Sequence, residues 1–204
     1  MAITSIQYGT CPSITQEAYL VSFFGDTIFT QVTHDPDTVT RWISDIESIH
    51  RNRLHCLIVG LDVEWRPSFN RYQQNPVATL QLCVGRRCLI YQIIHSDDDI
   101  PDSLVDFLSN GDYTFVGVKI YSNLDKLETD YDEIKIVHNA VDLRRLVANR
   151  YRRRDLFRDW QGSESAWFPP IVLGLGFTSV MRYDIEYSIR TLLRVPLRGV
   201  AFFR

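Results

Sequence analysis

Apolar residues recur along the first 150 residues in two periods, one typical of helices and the other of strands. Short apolar, β-branched runs bounded by turn residues predict strands at residues 57–63, 77–84, 88–94, 113–118 and 134–137. Two further strands, joined by a turn at Gly25-Asp26, are predicted within residues 18–33. After Asp35-Pro36, a capping residue and a first-turn proline, apolar residues at helical spacing predict an amphipathic helix (Val39, Trp42, Ile43, Ile46 and Ile49).

Further helices are predicted at residues 101–108, 122–130 and 142–154, and a last one at residues 178–193. A helix, three strands largely in hairpin order and then alternating helices and strands predict an α/β fold with a mixed sheet. Residues 1–16 carry few structural signals and are predicted to form a loose N-terminal arm. The length of 204 residues predicts a single domain, which spans residues 17–204.

Two acids, Asp62 and Glu64, stand at the end of the predicted strand 57–63. Side chains alternate between the faces of a strand, so these two carboxylates point the same way. Adjacent carboxylates repel each other and lose hydration when buried, and a divalent cation relieves both costs. Oxygen ligands suit Mg²⁺ or Mn²⁺ better than zinc. The alternative is a pair of strand-end acids held by backbone amides or by a nearby arginine.

Charge and cysteine content indicate which partners the protein can bind and in which compartment it resides. The formal net charge of −3 means that a nucleic-acid partner requires a local basic patch or a metal ion. The four cysteines lack C-x-x-C spacing and predict reduced, buried thiols in an intracellular protein of the cytoplasm or nucleus. No secretory signal is visible at the start. No apolar run approaches the ~18 residues of a membrane span, so no membrane partner is predicted.

Three segments carry a resemblance to a known family. They are the run Asp62-Val63-Glu64-Trp65 followed by Pro67, the strand 77–84 with its Gln81-Leu82-Cys83 run, and residues 115–127. Over residues 55–150 the chain resembles the 3′–5′ exonuclease domain of the Werner-syndrome helicase and related plant proteins, in the DnaQ-like, DEDD superfamily. The resemblance implies a ribonuclease-H-like, three-layer fold with a mixed central β-sheet flanked by helices.

The resemblance also implies a function, namely metal-dependent 3′–5′ exonuclease hydrolysis of phosphodiester bonds at single-stranded RNA or DNA ends. Two Mg²⁺ or Mn²⁺ ions would serve as cofactors, with Asp62 bridging both ions and Glu64 holding the one that activates water. Some plant relatives form ring-shaped homohexamers, so a homo-oligomer is implied. Candidate contacts for the nucleic acid adjoin the two acids, with simple packing as the alternative for the aromatic residues (Trp65, Arg66, Phe69 and Arg71).

The chain departs from the family at its second and third acidic motifs. Asn123 stands where the second motif has an aspartate, and Asp125 follows two residues later as a substitute ligand. The third motif is not found at its usual place, and Asp184 in the last predicted helix is the candidate for its acid. These departures predict weakened metal binding, with a catalytically degenerate nucleic-acid-binding or scaffolding relative as the alternative.

Arg144 and Arg145 begin the densest basic segment of the chain. They are candidate phosphate contacts for a single strand. The alternative is a solvated helix face whose arginines pair with neighbouring acids such as Asp142 and Asp155.

Overall fold

The structure, a computed structural model, describes residues 3–9, 16–23, 26–66, 74–96, 100–136 and 139–151. These residues form eight strands and four α-helices. The strands are β1 (Ile3–Gly9), β2 (Gln16–Phe23), β3 (Asp26–Thr33), β4 (Ile58–Trp65), β5 (Val77–Val84), β6 (Arg87–Tyr91), β7 (Thr114–Gly117) and β8 (Ala140–Asp142). The helices are α1 (Pro36–His50), α2 (Asp102–Ser109), α3 (Ile120–Asp130) and α4 (Leu143–Tyr151). The helix predicted at residues 178–193 lies outside the described residues.

The eight strands form one mixed sheet in the order β1-β2-β3-β6-β5-β4-β7-β8. Antiparallel pairing joins β1 to β2, β2 to β3, β4 to β5 and β5 to β6. Parallel pairing joins β3 to β6, β4 to β7 and β7 to β8. The predicted mixed sheet is confirmed, and β4 lies between β5 and β7, inside the sheet.

Helices cover both faces of this sheet. On one face α1, α2 and α3 pack over the main core, to which β4 contributes the buried Val59, Leu61 and Val63. On the other face Leu143 and Leu146 of α4 pack against Val116. The result is the three-layer α/β arrangement expected from the sequence.

Helix α1 begins where its sequence predicts. The Asp35 side chain caps it by accepting a hydrogen bond from the backbone N–H of Thr38 at 3.2 Å, and Pro36 opens the first turn. Four of the five residues in its predicted apolar stripe are buried, whereas Ile49 is 53% exposed. The Trp42 ring meets Phe107 of α2 edge to face at 6.4 Å between centroids.

The structure corrects two predictions about secondary structure. The arm predicted to be loose contains β1, which pairs antiparallel with β2 over Ile3–Gly9. Residues 134–136 are not a strand, and the strand lies at Ala140–Asp142 instead. Ile134 and Ile136 are apolar because they enter the main core, and the Ile136 N–H donates to the Glu128 carboxylate at 2.7 Å rather than to a neighbouring strand.

The cysteines of the β5–β6 hairpin also differ from the prediction of reduced thiols. Cys83 and Cys88 face each other in the ladder with their Cα atoms 4.2 Å apart, and the structure joins them as a disulfide. The tight turn at Gly85-Arg86 puts the two residues directly opposite each other, so their closeness follows from hairpin register rather than from a sequence motif. Cys56 is a free thiol.

Candidate active site

Strand β4 places Asp62 and Glu64 on the sheet face opposite the main core. Leu61 and Val63, which alternate with them, are 1% and 3% exposed within that core. The two carboxylates therefore share the other face, toward the end of β4, where both are half-buried. The two carboxylates lie close enough for the negative charge of Glu64 to raise the pKa of Asp62.

A glycine at the end of β7 allows the next element to approach this pair. Gly117 lies so close to β4 that a Cβ atom there would sit 2.6 Å from the Leu61 carbonyl oxygen and 2.8 Å from Cδ1 of Ile120. Real Cβ atoms do not approach backbone oxygen this closely, so any larger residue would force β7 and β4 apart. The absent side chain brings the start of α3 next to Asp62.

Helix α3 then presents Asn123 to Asp62. The Asn123 side chain is 6% exposed, and its Nδ2 donates to Asp62 Oδ1 at 2.7 Å and to the Val118 carbonyl at 3.4 Å. Lys119 precedes the helix in the left-handed conformation with φ 53°, and its carbonyl accepts from the Asn123 N–H at 3.2 Å. Asp125 is exposed, as expected from a rotation of ~200° between positions two apart on a helix. Asn123, not Asp125, is the residue of α3 that reaches Asp62.

Burial and the charge of Glu64 raise the pKa of Asp62 to about 7. Hydrogen bonds from the Val63 N–H and from Asn123 lower this pKa in part. Among the described residues, no lysine, arginine or histidine forms an ion pair with Asp62. The negative charge of Asp62 is therefore not balanced by a basic side chain of the described residues.

The donor atoms fit a hard divalent cation. Asp62 and Glu64 supply carboxylate oxygens, and Asn123 carries an amide oxygen that would ligate if its side chain turned over. Burial and the charge of Glu64 disfavour the ionised form of Asp62, a cost that a proton or a cation would relieve. Within the described ranges no three His, Cys, Asp or Glu side chains converge on a metal position. The residues present thus fit one cation, and a second ion needs a further acid.

Trp65 projects from the end of β4 beside Glu64. Glu64 pairs with Thr79 but Trp65 pairs with Val77, so β5 carries an extra residue at this point and forms a β-bulge. The Trp65 side chain is 39% exposed, and Lys126 Nζ lies 5.7 Å from the centroid of its ring. An indole ring is thereby held at the surface next to the carboxylates.

Helix α3 also anchors both sides of the connection between β4 and β5. Lys126 pairs with Asp130 and donates to the Asn75 carbonyl at 2.9 Å, while Asp130 accepts from the Val77 N–H at 2.8 Å. Asn75 Nδ2 in turn donates to the Arg66 carbonyl at 2.9 Å. Sequence reasoning missed Lys126 and Asp130, whose i, i+4 spacing on a helix was the available signal.

The remaining candidate site residues differ in exposure, and some lie outside the described residues. Arg66 is exposed beside Trp65. Arg144 donates to both oxygens of Asp142, at 3.1 Å from Nε and 2.6 Å from Nη2, and its side chain is only 11% exposed, whereas Arg145 is exposed. The structure therefore shows the ion-pair alternative for Arg144. Of these two candidate phosphate contacts, Arg145 is the exposed one. Phe69, Arg71 and Asp184 lie outside the described residues.

Comparison with known proteins defines the class. The chain is 32% identical over 124 residues to a 3′–5′ exonuclease of Arabidopsis thaliana, covering 59% of this chain and 42% of the relative. A 3′–5′ exonuclease of Drosophila willistoni is 26% identical over 118 residues, which cover 55% of this chain and 31% of that protein. The chain thus spans less than half the length of these curated relatives. No family model matches it.

Solved structures agree on the fold. The EXD2 exonuclease domain soaked in Mn and dGMP superposes with a TM-score of 0.50 at 18% identity, covering 85% of this chain and 98% of that domain. The same domain soaked in Mg and GMP gives a TM-score of 0.50 at 16% identity, with the same coverage of 85% and 98%. The described fold is therefore ribonuclease-H-like. The resemblance to 3′–5′ exonucleases that was noted from the sequence is confirmed by these relatives.

Proposed function

We propose that the protein is a metal-dependent 3′–5′ exonuclease that hydrolyses phosphodiester bonds at single-stranded ends of RNA or DNA. One observation carries this proposal. Asp62 and Glu64 share one face of β4, and no described cation pairs with Asp62, whose pKa is raised to about 7. The relatedness to 3′–5′ exonucleases supports the same reaction.

The proposed roles follow from the position of each side chain. Asp62 and Glu64 would hold Mg²⁺ or Mn²⁺, the ions with which the EXD2 domain was soaked. A divalent cation there neutralises an anionic phosphodiester and lowers the pKa of the attacking water. Asn123 orients the Asp62 carboxylate through its 2.7 Å hydrogen bond. For a second ion, as in two-metal catalysis, Asp184 is the sequence candidate.

The exposed groups beside the carboxylates suit a strand end. Trp65 offers a ring on which a terminal base can stack, and stacking is tolerant of base identity. Arg66 and Arg145 are exposed cations available to phosphates. Phe69 and Arg71 complete the proposed contact surface by their proximity in sequence to Trp65.

A degenerate relative that binds nucleic acid without cleaving it is the second candidate. The observation that favours it is Asn123, which supplies a neutral amide beside Asp62 where the family has a carboxylate. With one ligand charge missing, metal affinity falls, since ligand charge tunes the affinity of oxygen sites for hard cations.

A cleavage assay with two matched double variants tests the proposal. A 5′-labelled single-stranded oligonucleotide is incubated with the protein and Mn²⁺, beside Asp62→Ala/Glu64→Ala and the control Asp132→Ala/Glu133→Ala, which removes the same charge from exposed positions. Stepwise shortening by wild type and control, lowered at least about 100-fold in the Asp62/Glu64 variant, is expected. A gel shift without shortening by the wild type would assign the protein to the degenerate class instead.

The proposal also includes an intracellular setting and assembly into a homo-oligomer such as a ring, both supported by resemblance to the plant relatives. No helix in the described part of the chain is both long and apolar enough to cross a membrane. Sedimentation velocity of the purified protein would measure the subunit number.

A further inference from the structure

A second charged feature lies at the end of the sheet opposite the two carboxylates. In the β4–β5 ladder Glu64 pairs with Thr79 while Gly60 pairs with Cys83. The hairpin turn that contains Arg86 therefore lies toward the start of β4, beyond the end of the sheet opposite Glu64. Groups at this turn do not belong to the candidate active site.

A shallow pocket of about 400 Å³ opens beside this turn. Leu20 pairs with Phe29 across β2 and β3, and Phe29 pairs with Arg87 across β3 and β6, so the three side chains share one sheet face. Leu20 is 38% exposed on this face. We call this feature the basic pocket, which is lined by Leu20, Thr27, Phe29, Arg86 and Arg87.

Two arginines line the basic pocket, and a third acts on the same histidine as one of them. Arg53 follows α1 and contacts Nδ1 of His50 through Nε at 3.2 Å and Nη2 at 3.0 Å. Burial and the positive charges of Arg53 and Arg87 lower the pKa of His50, which places Arg87 within electrostatic reach of the end of α1. Arg86 pairs with Asp26 at 2.8 Å, yet its side chain remains 56% exposed.

Asp26 balances Arg86, but no described carboxylate balances the other two arginines. In the ranges that the structure describes, no carboxylate forms an ion pair with Arg87 or Arg53, and Asp26 is the acid at the pocket. Like charges that gather in a protein of net charge −3 are costly unless an anion joins them. The pocket thus combines anion-binding guanidinium groups with an aromatic and an aliphatic wall.

We infer that the basic pocket binds a nucleotide unit of single-stranded nucleic acid, with its phosphate on Arg86 and Arg87 and its base against Phe29 and Leu20. Guanidinium groups match phosphate oxygens with two donors, and base faces stack on aromatic side chains without sequence preference. An acidic peptide would use the arginines but has no flat group for the apolar wall. This second contact goes beyond the proposed hydrolysis and does not depend on cleavage.

A binding experiment with charge-matched variants tests the inference. Fluorescence anisotropy is measured with labelled oligothymidylate longer than the ~4–16 nucleotides that one domain covers, in EDTA so that no cleavage occurs. Arg87→Gln is compared with Arg41→Gln, which removes the same charge from an exposed arginine of α1 whose side chain is 68% exposed. Thr27→Glu, which adds a negative charge at an exposed position of the pocket, provides a second variant if Arg87→Gln does not fold.

Arg87→Gln and Thr27→Glu are expected to weaken binding about tenfold, the loss of one charged hydrogen-bonding contact. Arg87→Gln should also make the slope of log K against log[salt] less steep by about 0.7. This is the contribution of one phosphate contact with a single strand. Equal weakening by Arg41→Gln, or unchanged binding in both pocket variants, would overturn the inference. Displacement of the strand by oligoglutamate with the same dependence on Arg87 would reassign the pocket to an acidic protein segment. Absence of cleavage by the wild type in Mn²⁺ would defeat the proposed hydrolysis and leave this result unaffected.

Discussion

Two aspartates at the ends of parallel-running strands meet opposite electrostatic surroundings. Asp142, at the end of β8, is 4% exposed, and both of its carboxylate oxygens accept hydrogen bonds from Arg144. Asp62, near the end of β4, has another acid beside it and a neutral amide on one oxygen. The protein balances the first charge internally, whereas the charge of the second is left for a proton or a cation from solution.

The contrast separates a carboxylate that is paired within the fold from one with the electrostatics expected of the proposed site, without reference to any relative. A buried charge that only stabilises a fold is expected to have a partner, as Asp142 does. A carboxylate whose pKa is raised by burial and by a like charge costs stability, and such costs concentrate at functional sites. The predictions below alter one member of this comparison at a time.

Asp142→Ala should produce the largest loss of stability. Removal of Asp142 leaves the Arg144 guanidinium, in a side chain only 11% exposed, without its carboxylate, and breaking such a pair costs about 3–5 kcal/mol. Urea denaturation measures the loss as a lowered midpoint. Arg41→Ala, which breaks the exposed pair with Asp35, serves as the control and should change the free energy of unfolding by less than about 1 kcal/mol. A loss as small as that in Asp142→Ala would mean that the Asp142–Arg144 pair does not stabilise the fold.

Asn123→Asp should increase the contrast in charge between the Asp62 and Asp142 sites, because it adds a third acid beside Asp62. The added ligand charge is expected to raise the affinity for Mn²⁺ about tenfold or more, measured by calorimetric titration. Stability in EDTA should fall, because the variant replaces the hydrogen bond to Asp62 with like-charge repulsion. Asp125→Asn, at an exposed position, should leave Mn²⁺ affinity unchanged. If Asp125→Asn weakens Mn²⁺ binding instead, the assignment of Asn123 as the residue of α3 at the site is wrong.

Asp62→Asn should have an effect on stability that depends on pH. Folding raises the pKa of Asp62 from 3.8 to about 7, so its contribution to stability is complete below pH 3.8 and is lost as the pH rises toward 7. The variant has no such loss. In EDTA its Tm should therefore rise relative to wild type as the pH increases from ~5 to ~7, by roughly 5–10 °C at the upper end. Asp132→Asn, at an exposed position, should show no such trend, and a pH-independent difference for Asp62→Asn would contradict the raised pKa.

The parts of the fold that could be predicted are those encoded by local periodicity. The predicted strand at residues 77–84 is β5, and the capped start of α1 is where Asp35-Pro36 puts it. The shared face of Asp62 and Glu64 follows from strand alternation alone. Asn123 was assigned from the family pattern, and its helical spacing with Ile120, Leu124 and Leu127 also places it, unlike Asp125, on the buried stripe of α3.

The features that escaped prediction depend on residues far apart in the chain. The bond from the Val77 N–H to Asp130 spans 53 positions, and its partners are ordinary surface residue types. Ile134 and Ile136 were predicted as a strand because their alternation is real, but their partner is the core rather than a neighbouring strand. The pairing of β1 with β2 likewise depends on backbone hydrogen bonds, which the composition of residues 1–16 does not predict.

Gly117 sets how far this site can be altered. Its hydrogen-sized side chain acts as the spacer between two strands, so the separation of Asp62 and Asn123 is fixed by main-chain contact rather than by adjustable rotamers. Engineering of the site can therefore exchange ligand chemistry freely at position 123. A single methyl group at position 117, in contrast, would shift the helix that carries that ligand.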